Sequence, residues 1–191
     1  LRRLLERAGR FPGRVLDLAC GTGTLAVELA REGHRVWGID RSEQMIELAR
    51  SKADGMPNLT FTTGDMTCFS LDSTVDLVCC TFDSINYLLT PRQVSEMFSR
   101  VSSVLHEAGL FVFDSVTERF FREYNHASYC RTLQGERVTQ RLTYHKWKRE
   151  AVTVFRFGNR AVERHRQRPW DFEELEPLLR RSGFRRVPAW S

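Results

Sequence analysis

Long apolar segments are missing from this sequence of 191 residues. No window approaches the roughly 18 consecutive apolar residues that a membrane-spanning helix needs, so we expect no transmembrane helix and no membrane partner. The start of the chain shows no signal-peptide pattern. Because the chain opens with Leu1-Arg2-Arg3 instead of Met and stops at Trp190-Ser191 within an apparent element, we expect a fragment truncated at both ends.

The cysteines lack any pattern typical of a metal site or a disulfide framework. No two of the five stand in CxxC spacing, and no His lies at a spacing typical of zinc ligands. We therefore expect no metal, and we expect the thiols to be reduced and buried as small core residues. Reduced thiols predict a cytoplasmic protein. The five are Cys20, Cys68, Cys79, Cys80 and Cys130.

Lysine is scarce, since 26 of the 29 basic residues are Arg and 3 are Lys. The charge is also uneven along the chain. Residues 1–118 carry 12 basic and 16 acidic side chains, a net charge of −4, whereas residues 119–191 carry 17 and 8, a net charge of +9. A basic C-terminal part can attract an anionic substrate, nucleic acid or an acidic partner. We favour the alternative of a solvated arginine-rich surface.

Short apolar runs alternate with helical periodicity in the first part of the chain. This alternation predicts βαβ units and a parallel sheet in an α/β fold. Helices are expected from Leu25 to about Arg31, after a Ser42 N-cap with Met45, Ile46 and Ala49 facing inward, and from Pro91. Strands are expected at residues 15–19, 35–39, 59–63, 75–80 and 109–113.

The pattern changes after the fifth expected strand. The helical period is lost between about residues 117 and 168, and strands are expected at residues 139–147, 151–157 and 160–167, with a hairpin turn at Gly158-Asn159. This predicts an antiparallel β flap inserted at residues 117–168 into a single domain of residues 1–191. Beyond it, Asp171 and Glu174 predict a helix with a capping box, and Gly183-Phe184 the start of another strand.

The most informative stretch begins with the apolar run Val15-Leu16-Asp17-Leu18-Ala19 and continues as Cys20-Gly21-Thr22-Gly23-Thr24. Glycines let the backbone turn sharply and approach a ligand closely. The following helix points its first N–H groups at that ligand. The glycines alone also fit a dinucleotide fingerprint, which allows Ala26 at its third position.

Three carboxylates distinguish this stretch from a site for NAD. Asp17 stands before the glycines, where it would repel a pyrophosphate but could receive the ammonium of an amino-acid moiety. Asp40 ends the second strand, where a carboxylate can accept both hydroxyls of a ribose, a feature that NAD sites share and that does not discriminate alone. Asp65 follows the third strand, where it can accept from an adenine amino group while the next N–H, that of Met66, donates to the ring.

As a set, these residues resemble the class I SAM-dependent methyltransferase superfamily, over residues from about 13 to 188. The resemblance implies a Rossmann-like, doubly wound, mostly parallel sheet of strand order 3-2-1-4-5-7-6. We expect the family's leading helix to be mostly absent before Leu1, and the last strand of the sheet to be absent. The segment Thr81-Phe82-Asp83-Ser84-Ile85-Asn86-Tyr87-Leu88 resembles the small-molecule branch, as does Glu163-x-His165-x-x-Arg168.

The resemblance also implies the cofactor, S-adenosylmethionine (SAM), and the residues that bind it. Cys20, Gly21 and Gly23 would line its methionine part, with Asp17 and Ala19 beside them. Asp40 would bind the ribose, next to Arg41, and Asp65 with Met66 would bind adenine. Thr81 and Phe82 would flank the sulfonium. The implied activity is transfer of a methyl group from SAM to N or O of a small-molecule acceptor.

Methyl transfer requires alignment of the acceptor with the methyl group and, for a protonated amine or a weakly acidic hydroxyl, a base. We expect Tyr87 and Asp83 to position the acceptor, and His165 to act as the base because His titrates near neutral pH. Asn86 lies in the same segment and could equally well serve the loop backbone through hydrogen bonds as position the acceptor. No Asn/Asp-Pro-Pro-Tyr and no Pro-Cys follow the fourth strand, which disfavours amino methylation of nucleic acid or glutamine and carbon methylation of pyrimidines.

Two alternatives stay open. The first is an RNA or protein methyltransferase that docks through the basic C-terminal part, although we expect the aromatic residues there to form a flap core. The second is a non-catalytic interaction module with the same fold. We expect a monomer or a homodimer. The aromatic residues are Tyr129, Tyr144, Trp147, Phe155 and Phe157.

Overall fold

A computed structural model describes residues 12–133, 135–158 and 161–185. The chain divides into two compact units. The first, called the parallel unit, comprises the described residues up to Thr81 together with residues 96–113. The second, called the antiparallel unit, comprises residues 82–95 and those from Asp114 onward.

Most elements of the parallel unit precede those of the antiparallel unit along the chain, and α3 begins in the antiparallel unit. The elements of the parallel unit are β1 (Arg14–Leu18), α1 (Thr24–Arg31), β2 (Arg35–Asp40), α2 (Glu43–Lys52), β3 (Leu59–Thr63), β4 (Val75–Cys80), α3 (Pro91–Val104) and β5 (Leu105–Phe113). The elements of the antiparallel unit are a 3-10 helix (Ser84–Tyr87), α4 (Glu118–Glu123), β6 (Ser128–Leu133), β7 (Glu136–His145), a second 3-10 helix (Lys146–Lys148), β8 (Glu150–Phe157), β9 (Ala161–Gln167) and α5 (Phe172–Arg181).

The parallel unit contains a five-stranded sheet of order β3-β2-β1-β4-β5. All four neighbouring pairs are parallel. The predicted α/β fold and its strand order are therefore confirmed for these five strands. Because the carboxyl ends of parallel strands lie at one edge of a sheet, the loops after β1, β2 and β3 gather there.

The central strands are apolar because both of their faces are covered. In β1, Val15, Leu16 and Leu18 are fully buried, and β4 is buried from Leu77 to Cys80. Strands covered on both faces are typically continuous apolar runs. Asp17 breaks the run in β1, yet its exposed fraction is only 2%. A carboxylate in such a position requires a specific explanation.

Helix α2 begins as the sequence predicts but faces the core differently. The Ser42 hydroxyl accepts a hydrogen bond of 3.3 Å from the Met45 N–H, which satisfies one free donor of the first turn. Ile46 and Ala49 are buried, but Met45 is 41% exposed. The prediction that Met45 faces inward was wrong, because consecutive helical residues lie about 100° apart and Ile46 takes the inward direction.

Strand β5 starts at Leu105, earlier than the predicted Gly109. Its pairing with β4 shifts register between Val75 and Leu77. A Cβ atom at Gly109 would lie 2.7 Å from Leu105 Cδ2 and 2.9 Å from the His106 carbonyl oxygen. Gly109 therefore marks an irregularity inside the strand, a common place for a strand glycine, and does not mark its beginning.

The antiparallel unit contains a four-stranded sheet of order β6-β7-β8-β9, in which every neighbouring pair is antiparallel. An antiparallel sheet after β5 was predicted and is confirmed. One face of the sheet packs on α4, where Phe121 contacts Leu142, Tyr144 and Ala151. The rings of Phe121 and Tyr144 are stacked, with centroids 5.9 Å apart.

Helix α4 and strand β6 of this unit were not predicted, and strand β7 was predicted two to three residues too far along the chain. Helix α4 has six residues, too few to show a helical period. Strand β6 is exposed at all six positions, so it has no alternation of apolar and polar residues. Strand β7 ends at His145, and Trp147 follows in a 3-10 helix with 95% of its surface exposed. Asn159 and Arg160, expected in a turn and a strand, lie outside the described residues.

Helix α5 begins as predicted, at a capping box formed by Asp171 and Glu174. Leu175 and Leu179 are buried, while Leu178 is half-buried. Residues 183–185 are not a strand, and the rest of the strand expected there lies outside the described residues. Of the helices within the described ranges, none is long and apolar enough to cross a bilayer.

Candidate functional site

The chain turns sharply after β1 on three residues with left-handed backbone conformation. Ala19, Gly21 and Gly23 have φ angles of 59°, 54° and 73°. The Cys20 N–H donates a 3.0 Å hydrogen bond to the Ile39 carbonyl, and the Gly23 N–H donates one of 2.9 Å to the Cys20 carbonyl. The predicted glycine turn is thus present. Ala19 adds backbone strain, because a residue with a Cβ atom rarely adopts this conformation.

The two glycines of this turn have different surroundings. A Cβ atom on Gly21 would meet no described atom within 4 Å, so the backbone faces open space. On Gly23 it would lie 2.4 Å from Phe61 Cζ and 2.9 Å from Ala49 Cβ. Phe61 also fills the space beside Gly38, where a Cβ atom would lie 2.4 Å from its ring. Gly23 therefore permits packing, and Gly21 permits the approach of a ligand.

Asp17 lies beneath this turn with an incompletely paired carboxylate. The Ala26 N–H, in the first turn of α1, donates to the carboxylate. Its Oδ2 atom is buried and has no hydrogen-bond partner among the described residues. Burial raises the pKa of Asp17 to about 7, the Ala26 hydrogen bond opposes this rise, and the charge of Asp40 adds to it. An unpaired buried carboxylate is costly, and such groups are enriched at functional sites.

Asp40 connects the ends of β1 and β2. Its Oδ2 accepts a 2.9 Å hydrogen bond from the Gly21 N–H, and its Oδ1 accepts one of 2.8 Å from the Ser42 N–H. A carboxylate oxygen has two lone pairs, so each oxygen retains capacity for another donor. These bonds bring Asp40 and the glycine turn together, as expected from the meeting of parallel strand ends.

Asp65 lies in the loop after β3. Its Oδ1 accepts from the Thr67 N–H at 2.8 Å and from the Thr67 hydroxyl at 2.7 Å. Burial alone would raise the pKa of Asp65, but the Thr67 hydrogen bonds and the charge of Arg41 hold it below its usual value. Asp65 is thus an ionised acceptor. Met66 is half-buried beside it, and Thr81, also half-buried, follows the end of β4.

In the antiparallel unit, Phe82 and Asp83 form a second strained segment. Their φ angles are 60° and 51°, and the Phe82 side chain is 82% exposed. The Asp83 N–H donates a 2.9 Å hydrogen bond to Asp114 Oδ2, and Gln167 Nε2 donates to Asp83 Oδ2. Burial raises the pKa of Asp83, and Asp114 adds to the rise, whereas Gln167 and His165 oppose it.

The three predicted catalytic residues come together in this unit. The Tyr87 hydroxyl and His165 Nδ1 share a hydrogen bond of 2.8 Å, and the two rings meet edge to face. His165 Nε2 lies 3.4 Å from Glu163 Oε2. Burial raises the pKa of Tyr87, and the charges of Asp83 and Glu163 raise it further. Tyr87 therefore stays protonated.

The Glu163 carboxylate determines how His165 can be protonated. An ionised carboxylate only accepts, so the hydrogen of a neutral His165 belongs on Nε2, toward Glu163. Its Nδ1 is then an acceptor and receives the Tyr87 hydroxyl. The result is a chain of donors from Tyr87 through His165 to Glu163, with a basic nitrogen at Nδ1.

Sequence reasoning missed the partners of these residues. Glu163, His165 and Gln167 alternate by two along β9 and therefore share one face of the sheet. That spacing was a usable signal for Glu163 and Gln167. Asp114 closes β5 and had no comparable signal, because its contact with the Asp83 N–H depends on the loop after β4.

Asn86 serves the loop backbone, one of the two roles considered for it. Its Oδ1 accepts from the Val116 N–H at 2.9 Å, and its Nδ2 donates to the Val116 and Arg168 carbonyls at 2.8 Å each. Its own carbonyl accepts from the Arg168 N–H at 2.8 Å. These bonds hold the Tyr87 loop against the end of β9.

Only some of the cysteines are buried. Cys79 and Cys80 are core residues of β4, and Cys20 is half-buried in the glycine turn. The prediction of burial was wrong for Cys68, in the loop after β3, and for Cys130, on the exposed strand β6. Neither position is covered by another element.

The aromatic residues expected to form a flap core divide in the same way. Tyr144 is buried, and Phe155 and Phe157 are half-buried, whereas Tyr129 and Trp147 are exposed. Tyr129 lies on β6 and Trp147 follows β7. The predicted core was therefore wrong at these two positions, where the sheet leaves the side chain in solvent.

The fold and the loops at its strand ends define a class of protein. A parallel sheet of order β3-β2-β1-β4-β5, a glycine turn after β1 and acidic residues at the end of β2 and after β3 are the architecture of a Rossmann-like fold. A sequence model of the methyltransferase domain family matches residues 15–109.

Comparison with known proteins identifies the family. A Bacillus subtilis (strain 168) protein named "Putative methyltransferase YqeM" is 34% identical over 189 residues, covering 90% of this chain and 73% of the relative. A SAM-dependent methyltransferase from Clostridium acetobutylicum has the same fold, with a TM-score of 0.84 at 22% identity, covering 95% of this chain and 76% of that one. The chain therefore belongs to the class I SAM-dependent methyltransferase family, whose cofactor is SAM.

A further relative has a named substrate. It is the dTDP-3-amino-3,4,6-trideoxy-alpha-D-glucopyranose N,N-dimethyltransferase of Streptomyces venezuelae, which is 32% identical over 98 residues. The match covers 51% of this chain and 40% of the relative.

Proposed function

We propose that this protein transfers a methyl group from SAM to N or O of a small-molecule acceptor, and that an amine is the preferred acceptor. In this proposal SAM binds in the parallel unit, at the carboxyl ends of β1, β2 and β3. The observation that carries the proposal is the buried Oδ2 of Asp17, which lacks a partner among the described residues. The acceptor is handled by Tyr87, Asp83 and His165 in the antiparallel unit.

The Asp17 carboxylate fits the amino-acid end of SAM. Its ionised form is penalised by burial, and a bound ammonium would supply the missing donor and a compensating charge. A pyrophosphate at the same turn would instead place two like charges together, which argues against a dinucleotide. The open backbone at Gly21 supports a ligand above the turn, with Ala19, Cys20 and Gly23 completing it.

The remaining acidic residues fit the nucleoside end. Each oxygen of Asp40 has a lone pair left for a ribose hydroxyl. Asp65 uses one oxygen for Thr67, which leaves the other for the amino group of adenine. The Met66 N–H follows directly and can donate to the ring, and Arg41 contributes to keeping Asp65 ionised.

The Tyr87–His165–Glu163 chain fits an acceptor that must lose a proton. When bound, SAM supplies an electrophilic methyl group on a sulfonium, with Thr81 and Phe82 proposed beside it. His165 Nδ1 is a basic nitrogen in the tautomer favoured by Glu163. It can take a proton from the acceptor once its hydrogen bond with the Tyr87 hydroxyl is broken. Tyr87 and Asp83 are then suited to hold the acceptor by hydrogen bonds.

Local charge favours an amine over a hydroxyl. The charges of Asp83 and Glu163 act on Tyr87, and Asp114 lies beside Asp83, although residues 119–191 carry a net charge of +9. Negative charge attracts a protonated amine and stabilises its binding. The Streptomyces venezuelae relative, named as an N,N-dimethyltransferase of an amino sugar nucleotide, supports the same preference.

Calorimetric titration of SAM between pH 5.5 and 7.5 tests the cofactor site. Asp17 must ionise to receive an ammonium, so a pKa of about 7 predicts that affinity rises with pH, by about 10-fold over this range. The amino group of SAM stays mostly protonated there. Asp17→Asn should bind SAM more weakly at pH 7.5 and lose the pH dependence, and NAD is the control ligand.

Three results would contradict this site. They are a pH-independent affinity of the wild-type protein, an unchanged affinity of Asp17→Asn, or tighter binding of NAD than of SAM. Asp40→Ala provides an independent check, since loss of hydrogen bonds to a charged group should cost roughly 1–3 kcal/mol of SAM binding. An absence of SAM binding altogether would favour the non-catalytic interaction module.

Formation of S-adenosylhomocysteine with panels of small amines and phenols tests the acceptor. We expect turnover with amines, a kcat about 100-fold or more lower in His165→Asn, and retained SAM affinity in that variant because His165 lies in the other unit. Glu163→Gln should lower kcat less and shift the pH profile. Turnover of phenols alone would overturn the preference for amines.

A further inference from the structure

The antiparallel sheet has one covered face and one bare face. Tyr144 and Ala151 are paired across β7 and β8 and lie on the face packed against α4, called the inner face. Because side chains alternate along a strand, Arg141 and Val154, also paired, lie on the opposite face, called the outer face. The same alternation places His165 on the inner face of β9, since it pairs with buried Thr153.

All described arginines within β7, β8 and β9 lie on the outer face. Arg141 and Arg164 flank Val154 in one row, and Arg156 lies in the next row between Thr139 and Val162. The full set is Arg137, Arg141, Arg156, Arg164 and Arg166. Glu150 is the one acidic residue that these strands place there within the described ranges, and it is paired with Arg166.

Three of these arginines form a cluster without counter-charge. Arg141, Arg156 and Arg164 are exposed, and none of them pairs with a carboxylate of a described residue. Diagonal neighbours on adjacent strands are separated by about 7–8 Å, a distance at which like charges repel. A surface that keeps this repulsion in the free protein gains affinity for a polyanion, which relieves it.

We propose that the outer face docks the phosphate backbone of double-stranded RNA. Guanidinium groups bind phosphate in a bidentate geometry, and a duplex presents phosphates at close, regular intervals. Thr139 and Thr143 lie between the arginines and supply hydroxyl donors for phosphate oxygens. The outer face therefore carries the donor chemistry that recognition of a nucleic-acid backbone requires.

Two features of the outer face favour an RNA duplex over other nucleic acids. None of the residues described on the outer face of β7–β9 is Phe, Tyr or Trp, and the stacking platforms typical of single-strand binding are thus missing. A face of a four-stranded sheet is also too broad for the roughly 12 Å major groove of B-form DNA. A-form RNA is recognised mainly through its shape and backbone.

The docked duplex would not be the methyl acceptor. Arg164 and Arg166 lie on the outer face of β9, while His165 between them lies on the inner face beside Tyr87. A rigid duplex on the outer face therefore does not reach the Tyr87 hydroxyl. The docking surface goes beyond the proposed methyl transfer, because it would locate the protein on RNA without supplying its substrate.

Fluorescence anisotropy with a labelled RNA duplex of about 20 base pairs tests the proposal, with the whole chain at 50–200 mM KCl. We expect binding at 50 mM KCl and a steep loss with salt. The triple variant Arg141→Gln, Arg156→Gln, Arg164→Gln should bind about 30-fold more weakly. Its salt slope, the steepness with which log affinity falls with log salt concentration, should decrease by about three, roughly one per lost phosphate contact.

A matched control separates this surface from bulk charge. The triple variant Arg31→Gln, Arg100→Gln, Arg181→Gln loses the same three charges at exposed positions outside the sheet. It should keep the wild-type salt slope to within about one. If a triple variant does not fold, as judged by circular dichroism, Arg156→Gln alone is compared with Arg100→Gln and should lower the slope by about one.

Four results would overturn the proposal. They are no RNA binding by the wild-type protein at 50 mM KCl, equal losses in the two triple variants, tighter binding of single-stranded RNA or B-form DNA than of the RNA duplex, and tighter binding of polyglutamate. The last would assign the outer face to an acidic protein. SAM affinity should be the same in both triple variants, which makes failure here distinguishable from failure of the proposed methyl transfer.

Discussion

The two units differ in how their acidic groups are satisfied. In the parallel unit, Asp17 is almost fully buried, has an oxygen without a described partner, and has a pKa raised to about 7 by burial. In the antiparallel unit, Glu118 contacts Arg122 and Arg149 at 2.8 Å each. Burial alone would raise its pKa, but Tyr144 and the two arginines hold it below its usual value.

This difference separates the proposed ligand site around Asp17 from a structural ion-pair cluster. Arg149 contacts three carboxylates, those of Glu118, Asp171 and Glu174, and so joins α4 to the start of α5. The acidic groups there are satisfied within the protein. Asp17 is not, and the penalty of burying its ionised carboxylate is removed either by protonation or by a bound cation.

The two kinds of acid also give opposite dependences of stability on pH. A raised folded-state pKa, as for Asp17, gives stability that is complete below its ordinary pKa of 3.8 and is lost as the pH rises through about 7. A lowered folded-state pKa, as for Glu118, gives stability that is present above its ordinary pKa of 4.5 and is lost as the pH falls through the lowered value.

The largest expected effect lies at the packed glycine of the parallel unit. Gly23→Ala combines a left-handed φ with a Cβ 2.4 Å from Phe61, and should reduce the free energy of unfolding by about 3–5 kcal/mol in urea titrations. Gly21→Ala has similar backbone strain but open space, and should cost about 1 kcal/mol. Equal losses in the two variants would remove the distinction between packing and ligand approach.

Neutralising the unpaired acid should stabilise the free protein. Asp17→Asn is expected to raise the free energy of unfolding by about 2–4 kcal/mol at pH 8, because the penalty of burying an ionised carboxylate disappears. The difference should vanish near pH 4, where Asp17 is protonated in the folded protein. Thermal unfolding without SAM at the two pH values measures this, and a destabilised variant at pH 8 would show that Asp17 is structural.

Removing Arg149, the shared cation of the antiparallel unit, should instead lower the free energy of unfolding. Arg149→Ala leaves three carboxylates without their common partner and should cost about 2–3 kcal/mol at pH 7, measured by urea unfolding. The loss should shrink toward pH 4 as the carboxylates protonate. Arg31→Ala, which removes an exposed pair with Glu28, is the control and should cost less than about 0.5 kcal/mol.

The smallest expected effect compares the helix caps of the two units. Ser42 caps α2 with one hydrogen bond, and Ser42→Ala should cost about 1 kcal/mol in urea unfolding. Asp171 caps α5 and also contacts Arg149, so Asp171→Ala should cost about 2 kcal/mol. A larger loss at Ser42 would mean that the Arg149 cluster contributes little to stability.

The parallel unit was predictable from sequence because its signals are local and repeated. Buried strands, a Ser42 cap and the turn glycines each follow from a few neighbouring residues. The antiparallel unit was less predictable from sequence. Strand β6 is exposed at every position, and α4 is too short to show a period, so neither had a pattern to detect.

The candidate site shows the same limit. Asp17, Asp40 and Asp65 were identifiable because each lies near the end of a strand of a parallel sheet or just after one. Tyr87 and His165 were also proposed, but their 2.8 Å contact joins residues 78 positions apart, which no local pattern reveals. Gly21 and Gly23 looked equivalent in the sequence, and only the position of Phe61 separates them.

The sequence by itself determined the α/β fold, the methyltransferase family and the acidic residues at the strand ends, because periodicity and strand-to-helix turns are encoded by adjacent residues. Tertiary structure alone decided which carboxylate lacks a partner, which nitrogen of His165 faces Tyr87, and which face of strands β7–β9 carries their arginines. Burial, hydrogen bonding and strand register each depend on residues distant in the chain, and these interactions set the chemistry of the side chains.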